Sequence, residues 1–192
     1  SDDARELREF LGSKFAHIDT LLTSVGTGTD RIKSIHQAIR NYTRVDAEPV
    51  PGQAIGPIVD EAATILSSKL KTFDLDVDLG DLPGVTCRRS QLGQVFANLL
   101  SNAADALQEE KERRGEEGFE GKVVVRGMAV KHGGQMGVVV RVEDNGPGIP
   151  ADIRDKIREA FFTTKAVGKG TGLGMSICQR IVDAHGGTLV VG

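Results

Sequence analysis

The sequence predicts an α+β fold, and three patterns carry that prediction. Apolar residues recur at helical spacing over positions 92–107 and again from Met175 to Val182. Shorter runs, 75–79 and 138–142, are β-branched or alternate apolar with polar residues, the period of strands. Residues 1–46 carry apolar side chains every seven positions, the mark of a bundle helix. At 192 residues, 39% hydrophobic and 27% charged, the chain suits one full domain plus a smaller element. We expect a helical dimerisation segment over residues 1–48 and a second domain over 49–192.

In the first segment Leu11, Ile18, Val25, Ile32 and Ile39 hold one heptad position, and Leu21, Ile35 and Tyr42 a second, with Phe15 and Leu22 widening the stripe. Gly26-Thr27-Gly28-Thr29 interrupts it. Two readings stay open: a hairpin turning at the glycines, or one long helix, which the preserved heptad phase favours. Either way the stripe needs a partner, and a homodimeric bundle supplies one. Pro49, Pro51 and Gly52 mark residues 45–56 as a linker. A helix is expected over 58–70, where apolar residues fall at 58, 59, 62, 65, 66 and 70. A strand with one wet face follows, in which Leu75, Val77 and Leu79 alternate with aspartates. A second short strand covers Val85-Thr86-Cys87, then comes the helix over 92–107. Residues 108–121 are dominated by charge and glycine and read as a solvated helix end and loop. Strands over 122–130 and 135–142 flank a hairpin at Lys131-His132-Gly133-Gly134.

Composition excludes some functions. A net charge of −3 gives no basic field for nucleic acid, and scarce aromatics give no base-stacking surface. No apolar run approaches about 18 residues and no signal peptide is visible, so no membrane contact is expected within this chain. Cys87 and Cys178 sit in apolar contexts without metal-ligand spacing, as thiols in a reducing cytoplasm.

The chemistry concentrates in three stretches. In the first, Asn98 and Asn102 are four apart on the helix beside its core-facing stripe, with Asp105 one turn further on. Amides are mediocre helix formers, so this pair points to a polar task at a pocket edge. In the second, the strand over 138–142 delivers Asp144 into Glu143-Asp144-Asn145-Gly146-Pro147-Gly148-Ile149, a sharp turn. In the third, Phe161-Phe162-Thr163-Thr164-Lys165 precedes glycines at 168, 170, 172 and 174, with a helix starting near Met175. Bare amides beside a helix N-terminus form an anion site, and phosphate is the usual occupant.

Together these residues resemble the ATP-binding catalytic region of bacterial sensor histidine kinases, within the wider gyrase, heat-shock chaperone, histidine kinase and mismatch-repair (GHKL) ATPase superfamily. The asparagine helix is similar to the N box, the Asp144 turn to the first glycine motif, residues 161–165 to the F box, and residues 168–174 to the second glycine box. The resemblance covers roughly residues 50–192. It implies a two-layer α/β sandwich (a Bergerat-type ATP-binding fold) with a mixed, mainly antiparallel sheet. It implies ATP and Mg²⁺ as cofactors, with Asn102 on the metal and Asn98 assisting. Asp144 would accept the adenine amino group while Gly146, Gly148 and Ile149 admit base and ribose. Gly170, Thr171, Gly172, Leu173 and Gly174 would hold the phosphates, with Asp105, Lys165 and Lys169 also bordering the nucleotide. In hydrolysing branches a general-base Glu stands where this chain has Asn98; an amide cannot deprotonate water, so the site is suited to protecting ATP until a protein nucleophile arrives.

The implied reaction transfers the γ-phosphoryl of ATP to a histidine and onward to a response regulator receiver domain, in the cytoplasm. The sequence departs from the family at the acceptor. His17-Ile18-Asp19 lacks the family's following pattern and lies 81 residues before Asn98, closer than that arrangement leads one to expect. His36 faces the heptad stripe. Both are weak candidates, and the acceptor is expected before Ser1 or on another protein if neither serves. The alternative is a nucleotide-binding regulatory module without autokinase activity. The family pattern also adds a strand beyond Gly192.

Overall fold

Val123 and Val125, alternate residues of one strand, are fully buried, and the larger of two units is built around that strand. In this computed structural model the chain divides into Ser1–Val45 with Phe161–Gly172, and Asp46–Ala160 with Leu173–Gly192. The structure describes residues 14, 15, 18, 21, 25, 26, 28, 29, 48–115, 118–132, 134–165 and 170–192. His17, His36, Lys169, Gly168 and the heptad positions Leu11, Leu22, Ile32, Ile35, Ile39 and Tyr42 lie outside the described residues.

The larger unit runs β1 (Val50–Gln53), α1 (Gly56–Ile65), α2 (Ser67–Leu70), β2 (Asp74–Asp78), β3 (Val85–Cys87), α3 (Arg89–Arg114), β4 (Lys122–His132), β5 (Gln135–Asp144), a 3₁₀ turn (Lys156–Arg158) and α4 (Gly174–Ala184). The alternating apolar residues of β2, β4 and β5 place them side by side in the order β2-β4-β5. β2 lies parallel to β4, with Asp74 opposite Lys122, and β5 lies antiparallel, with Val123 opposite Asp144. The fold class is therefore α+β with a mixed, mainly antiparallel sheet, as the sequence leads one to expect. The wet face of β2 carries its aspartates: Asp76 pairs with Arg126 at 2.7 Å, and Lys122 reaches Asp74 at 3.2 Å.

The helices supply the second layer. Ile58, Val59 and Ala62 of α1 and Leu100, Ala103, Ala104 and Leu107 of α3 pack with Val123 and Val125 and the inner residues Val138, Val140 and Val142 of β5. At 26 residues α3 is about 39 Å long. Its N-terminal half also feeds a second cluster, in which Val95 packs with Cys178 and Ile181 of α4. His185, at the C-cap of α4, closes this cluster: its Nδ1 donates to Ile181 O at 2.7 Å, and its Nε2 accepts the Arg88 amide at 3.0 Å. No described helix is long and apolar enough to cross a membrane.

Four local features differ from the sequence reading. The stretch read as a linker contains β1, paired antiparallel with β3 across a register shift between Val50 and Gln53. An edge strand tolerates Pro51, since proline lacks only a donor that an edge need not use. The helix read over 58–70 breaks at Leu66 (φ −95°, ψ 9°) before Ser67-Ser68, which hold a helix poorly. The hairpin is tighter than read, with strands reaching His132 and Gln135, because Gly134 takes φ +84°. The charged end of α3 is only partly solvated: Glu110 is 1% exposed, and its carboxylate accepts hydrogen bonds from Arg113 and Arg114. These guanidiniums, Arg113 foremost, hold it down at about 2. The Arg114 guanidinium also lies 5.3 Å over the Phe119 ring.

In the smaller unit the described positions 14, 15, 18, 21, 25, 26, 28 and 29 have helical backbone, the two glycines included. Thr29 Oγ1 donates to Val25 O at 2.9 Å, one turn back. Phe15, Ile18, Leu21 and Val25 are 67%, 49%, 52% and 66% exposed.

Candidate functional site

One edge of α3 gathers most of the sequence-predicted residues of the larger unit, and each is held from a different direction. Asn98 meets the start of α4: its Nδ2 donates to Gly174 O at 3.2 Å, which leaves the amide oxygen as an acceptor. Its other neighbour is the Cys178 thiol, whose Sγ–H contacts Val95 O at 3.8 Å. Burial pushes that thiol up to about 11, against a smaller opposing pull from Asn98. Cys178 is therefore a neutral packing residue at neutral pH. Asn102 follows one turn on and is half-buried. Asp105, a further turn along, is paired with Lys69 of α2 at 2.6 Å. The same ammonium donates to Ser101 Oγ at 2.7 Å and Ser101 O at 3.3 Å. Lys69 is a residue that sequence reasoning missed, because nothing local marks a lysine 32 residues upstream of its partner.

The turn after β5 meets α3 at Ala106. A Cβ on Gly146 would lie 3.1 Å from Ala106 Cβ and 2.8 Å from Asp144 Oδ1, so only glycine lets the turn sit this close to the helix. Asp144 Oδ1 accepts the Gly146 amide at 3.0 Å, an Asx turn. That bond uses one carboxylate oxygen and aims the other. Asp144 is solvent-exposed in residue terms, yet partial burial of its carboxyl raises its pKa, against the lowering by the Gly146 amide. Gly148 and Ile149 follow, and Arg154 donates to Ile149 O at 3.4 Å.

Gly174 opens α4, with Leu173 at its N-cap accepting Ser176 Oγ at 2.9 Å through its carbonyl. Among the described residues no side-chain hydrogen bond caps this terminus, and a helix N-terminus favours an anion. Within the smaller unit, Phe161 N donates to Gly172 O at 2.8 Å, closing the two ends of Phe161–Gly172 on each other. The closure is tight: Gly172 has φ +65° and a Cβ there would overlap the Phe161 backbone, while Phe161 itself takes φ +70°. Such a φ is costly for an aromatic residue and persists only where surroundings impose it. A Cβ on Gly170 would lie 2.7 Å from Thr163 Oγ1, and that hydroxyl also accepts the Lys165 amide at 3.2 Å. Thr171 is half-buried beside them.

The donor set decides what metal fits. Among the described residues no group of three or more His, Cys, Asp or Glu converges. A metal held here takes amide oxygens plus ligands from outside the protein. That suits Mg²⁺, which keeps waters and phosphate oxygens, and does not suit zinc.

Comparison with known proteins gives one consistent family. The family described as histidine kinase-, DNA gyrase B-, and HSP90-like ATPase matches residues 87–192. The C4-dicarboxylate transport sensor protein DctB of Pseudomonas aeruginosa is 30% identical over 195 residues, covering 100% of this chain and 30% of that protein. Among solved structures, the mycobacterial sensor histidine kinase MprB superposes with a TM-score of 0.56 at 27% identity, over 72% of this chain and 80% of that one. Full-length ShkA in complex with AMPPNP gives 0.56 at 27% identity, over 74% of this chain and 28% of its own. The chain spans under a third of the length of the first curated relatives it matches.

Proposed function

The chain belongs to the histidine kinase-, DNA gyrase B- and HSP90-like ATPase family, and from that we propose that it is the ATP-binding core of a two-component sensor histidine kinase. The observation that carries this reading is the seating of the Asp144 turn, through Gly146, on the helix that also bears Asn98 and Asn102. Base recognition and phosphate chemistry then share one rigid element. Asp144 Oδ2 accepts the adenine amino group; guanine, which presents a carbonyl there, is rejected by an acceptor facing an acceptor. Gly148 and Ile149 line the approach of base and ribose. Asn102 holds Mg²⁺ through its amide oxygen, with Asn98 on the metal or its waters. The ion supplies charge neutralisation at the phosphates when bound. Asp105, Leu173 and Gly174 border the phosphates.

In the proposed reaction a histidine nitrogen attacks the γ-phosphorus in line, the bond to the bridging oxygen breaks, ADP leaves, and the ring proton passes to solvent. Positioning and charge stabilisation carry such transfers. Asn98 offers no general base for water, which favours transfer over hydrolysis. The phosphoryl group then passes to a response regulator receiver. His17 and His36 are the histidines of residues 1–48 to substitute in locating the acceptor. Homodimerisation through that segment and a cytoplasmic setting complete the proposal. Its support is the exposed row Phe15, Ile18, Leu21 and Val25, which in isolation would stand in water.

The test is incubation with γ-labelled ATP, with and without a separate helical segment carrying a histidine. Acid-labile, base-stable label on either chain is the expected result. Steady phosphate release without protein label would instead mark a hydrolysing ATPase. ATP binding with neither label nor release would mark the regulatory module.

A further inference from the structure

Asn145 is a residue of the Asp144 turn for which the nucleotide reading has no use, yet it makes three hydrogen bonds there. Its side-chain Oδ1 accepts the Lys122 amide at 2.7 Å, and its own amide donates to Lys122 O at 3.2 Å. Its Nδ2 donates to Glu120 O at 2.9 Å. One residue thus takes both backbone groups of Lys122, one step beyond the last ladder pair, Val123 with Asp144. The carbonyl at Glu120 is itself well founded. Phe119 on one side packs against the main core, and Gly121 on the other lies so close to Phe73 that a Cβ would come within 2.6 Å of its ring.

We infer that Asn145 is a positioning residue that sets adenine specificity, acting through Asp144 without touching the nucleotide. The inference rests on the reading of Asp144 as the adenine acceptor. The Gly146 amide fixes Asp144 Oδ1 at 3.0 Å, and where that amide points depends on the backbone angles of residue 145. Three hydrogen bonds hold those angles. Without them the chain leaves β5 in several directions, the Gly146 amide drifts from Oδ1, and Oδ2 loses its fixed aim. A carboxylate that turns freely still attracts a base amino group but no longer presents one rigid acceptor, so discrimination falls with affinity.

The experiment substitutes Asn145→Ala and Asn145→Asp in the intact chain. It measures dissociation constants for ATP and GTP by calorimetry, alongside thermal unfolding. Asn145→Ala should weaken ATP about tenfold and compress the preference for ATP over GTP by a similar factor, the equivalent of one or two hydrogen bonds. Asn145→Asp keeps the acceptor for the Lys122 amide and loses the donor to Glu120, so it should fall between wild type and Asn145→Ala. A purely structural role would lower the melting temperature and leave the ATP:GTP ratio where it was; that result overturns the inference. Should Asn145→Ala fail to fold, the ratio in Asn145→Asp decides by the same rule. Asp144→Asn serves as the control: if it leaves ATP binding unchanged, the adenine assignment itself falls, whereas a strong effect there with none at Asn145 removes this inference alone.

Discussion

At the scale of single residues, the site turns on two oxygens of one carboxylate. Asp144 Oδ1 accepts the Gly146 amide, and in the proposed function Oδ2 takes the base. Asp144→Asn separates the two, because the amide keeps an acceptor for Gly146 and replaces the other oxygen with a donor. We expect ATP affinity to fall about tenfold to a hundredfold, the value of a hydrogen bond to a charged group, with the fold intact. Calorimetry with ATP checks it. Stability should move the other way. Burial raises the Asp144 pKa above its unfolded value of 3.8. The native state therefore binds more protons than the unfolded state between those two values, and this group's contribution to stability decreases as pH rises through that window. Asp144→Asn removes that effect, so denaturant unfolding at pH 7 should show a variant at least as stable as wild type. Gly146→Ala should behave differently. Its Cβ would stand 2.8 Å from Asp144 Oδ1 and 3.2 Å from the Ala106 backbone, so the turn must lift off α3. ATP affinity and melting temperature should fall together, which distinguishes displacement of the turn from loss of one hydrogen bond.

At the scale of elements, α3 is both the spine of the core and the ruler of the site. Leu100 and Leu107 are fully buried on its inner face, and truncating either to alanine should cost about 2–5 kcal/mol in chemical denaturation. Its C-terminal end carries the buried Glu110, held down at about 2 by Arg113 and Arg114 against an unfolded value of 4.5. A depressed carboxylate stabilises the fold above its unfolded pKa and loses that contribution as pH falls from 4.5 toward 2. Glu110→Gln should unfold more readily at pH 7 and show a flatter loss of stability across that interval. The same helix shows what a sequence can disclose. Its apolar stripe and its asparagine pair are written at local spacing, so they could be read directly, as could the Asp144 turn. Glu110 could not, because it sits in a Glu-Glu-Lys-Glu-Arg-Arg run whose spacing is that of a solvated face. Its carboxylate is held by Arg113 and Arg114, and Arg114 in turn lies over the ring of Phe119, a residue nine positions beyond Glu110 in sequence. Nor could β1, whose proline and glycine mark a linker until β3 arrives to pair with it. The grip of Lys69 on Asp105 and the clamp of Asn145 on Lys122 join residues 36 and 23 apart in sequence, beyond the reach of any local pattern.

At the scale of the whole molecule, the question is what covers the apolar row of the first segment. Phe15, Ile18, Leu21 and Val25 stand at helical spacing on helical backbone and are about half to two-thirds exposed. An isolated amphipathic helix is marginal in water, and its stability comes from burying such a face against a partner. A second copy of the same segment presents the same row and so supplies a matched one. Ile18→Asp combined with Val25→Asp places two carboxylates on that row. In a homodimer these become four charges facing one another in a dry seam, where desolvation and like-charge repulsion act together. Sedimentation should then show the intact chain shifting from dimer to monomer, with its ATP affinity unchanged, because neither residue belongs to the proposed nucleotide site. Phosphoryl transfer adds a second readout. If an acceptor histidine lies on one protomer and the ATP on its partner, the monomeric variant should bind ATP normally and lose protein label. If transfer occurs within one chain, label should persist at the same rate per protomer. A variant that stays dimeric would show that the row is covered by something other than a second copy.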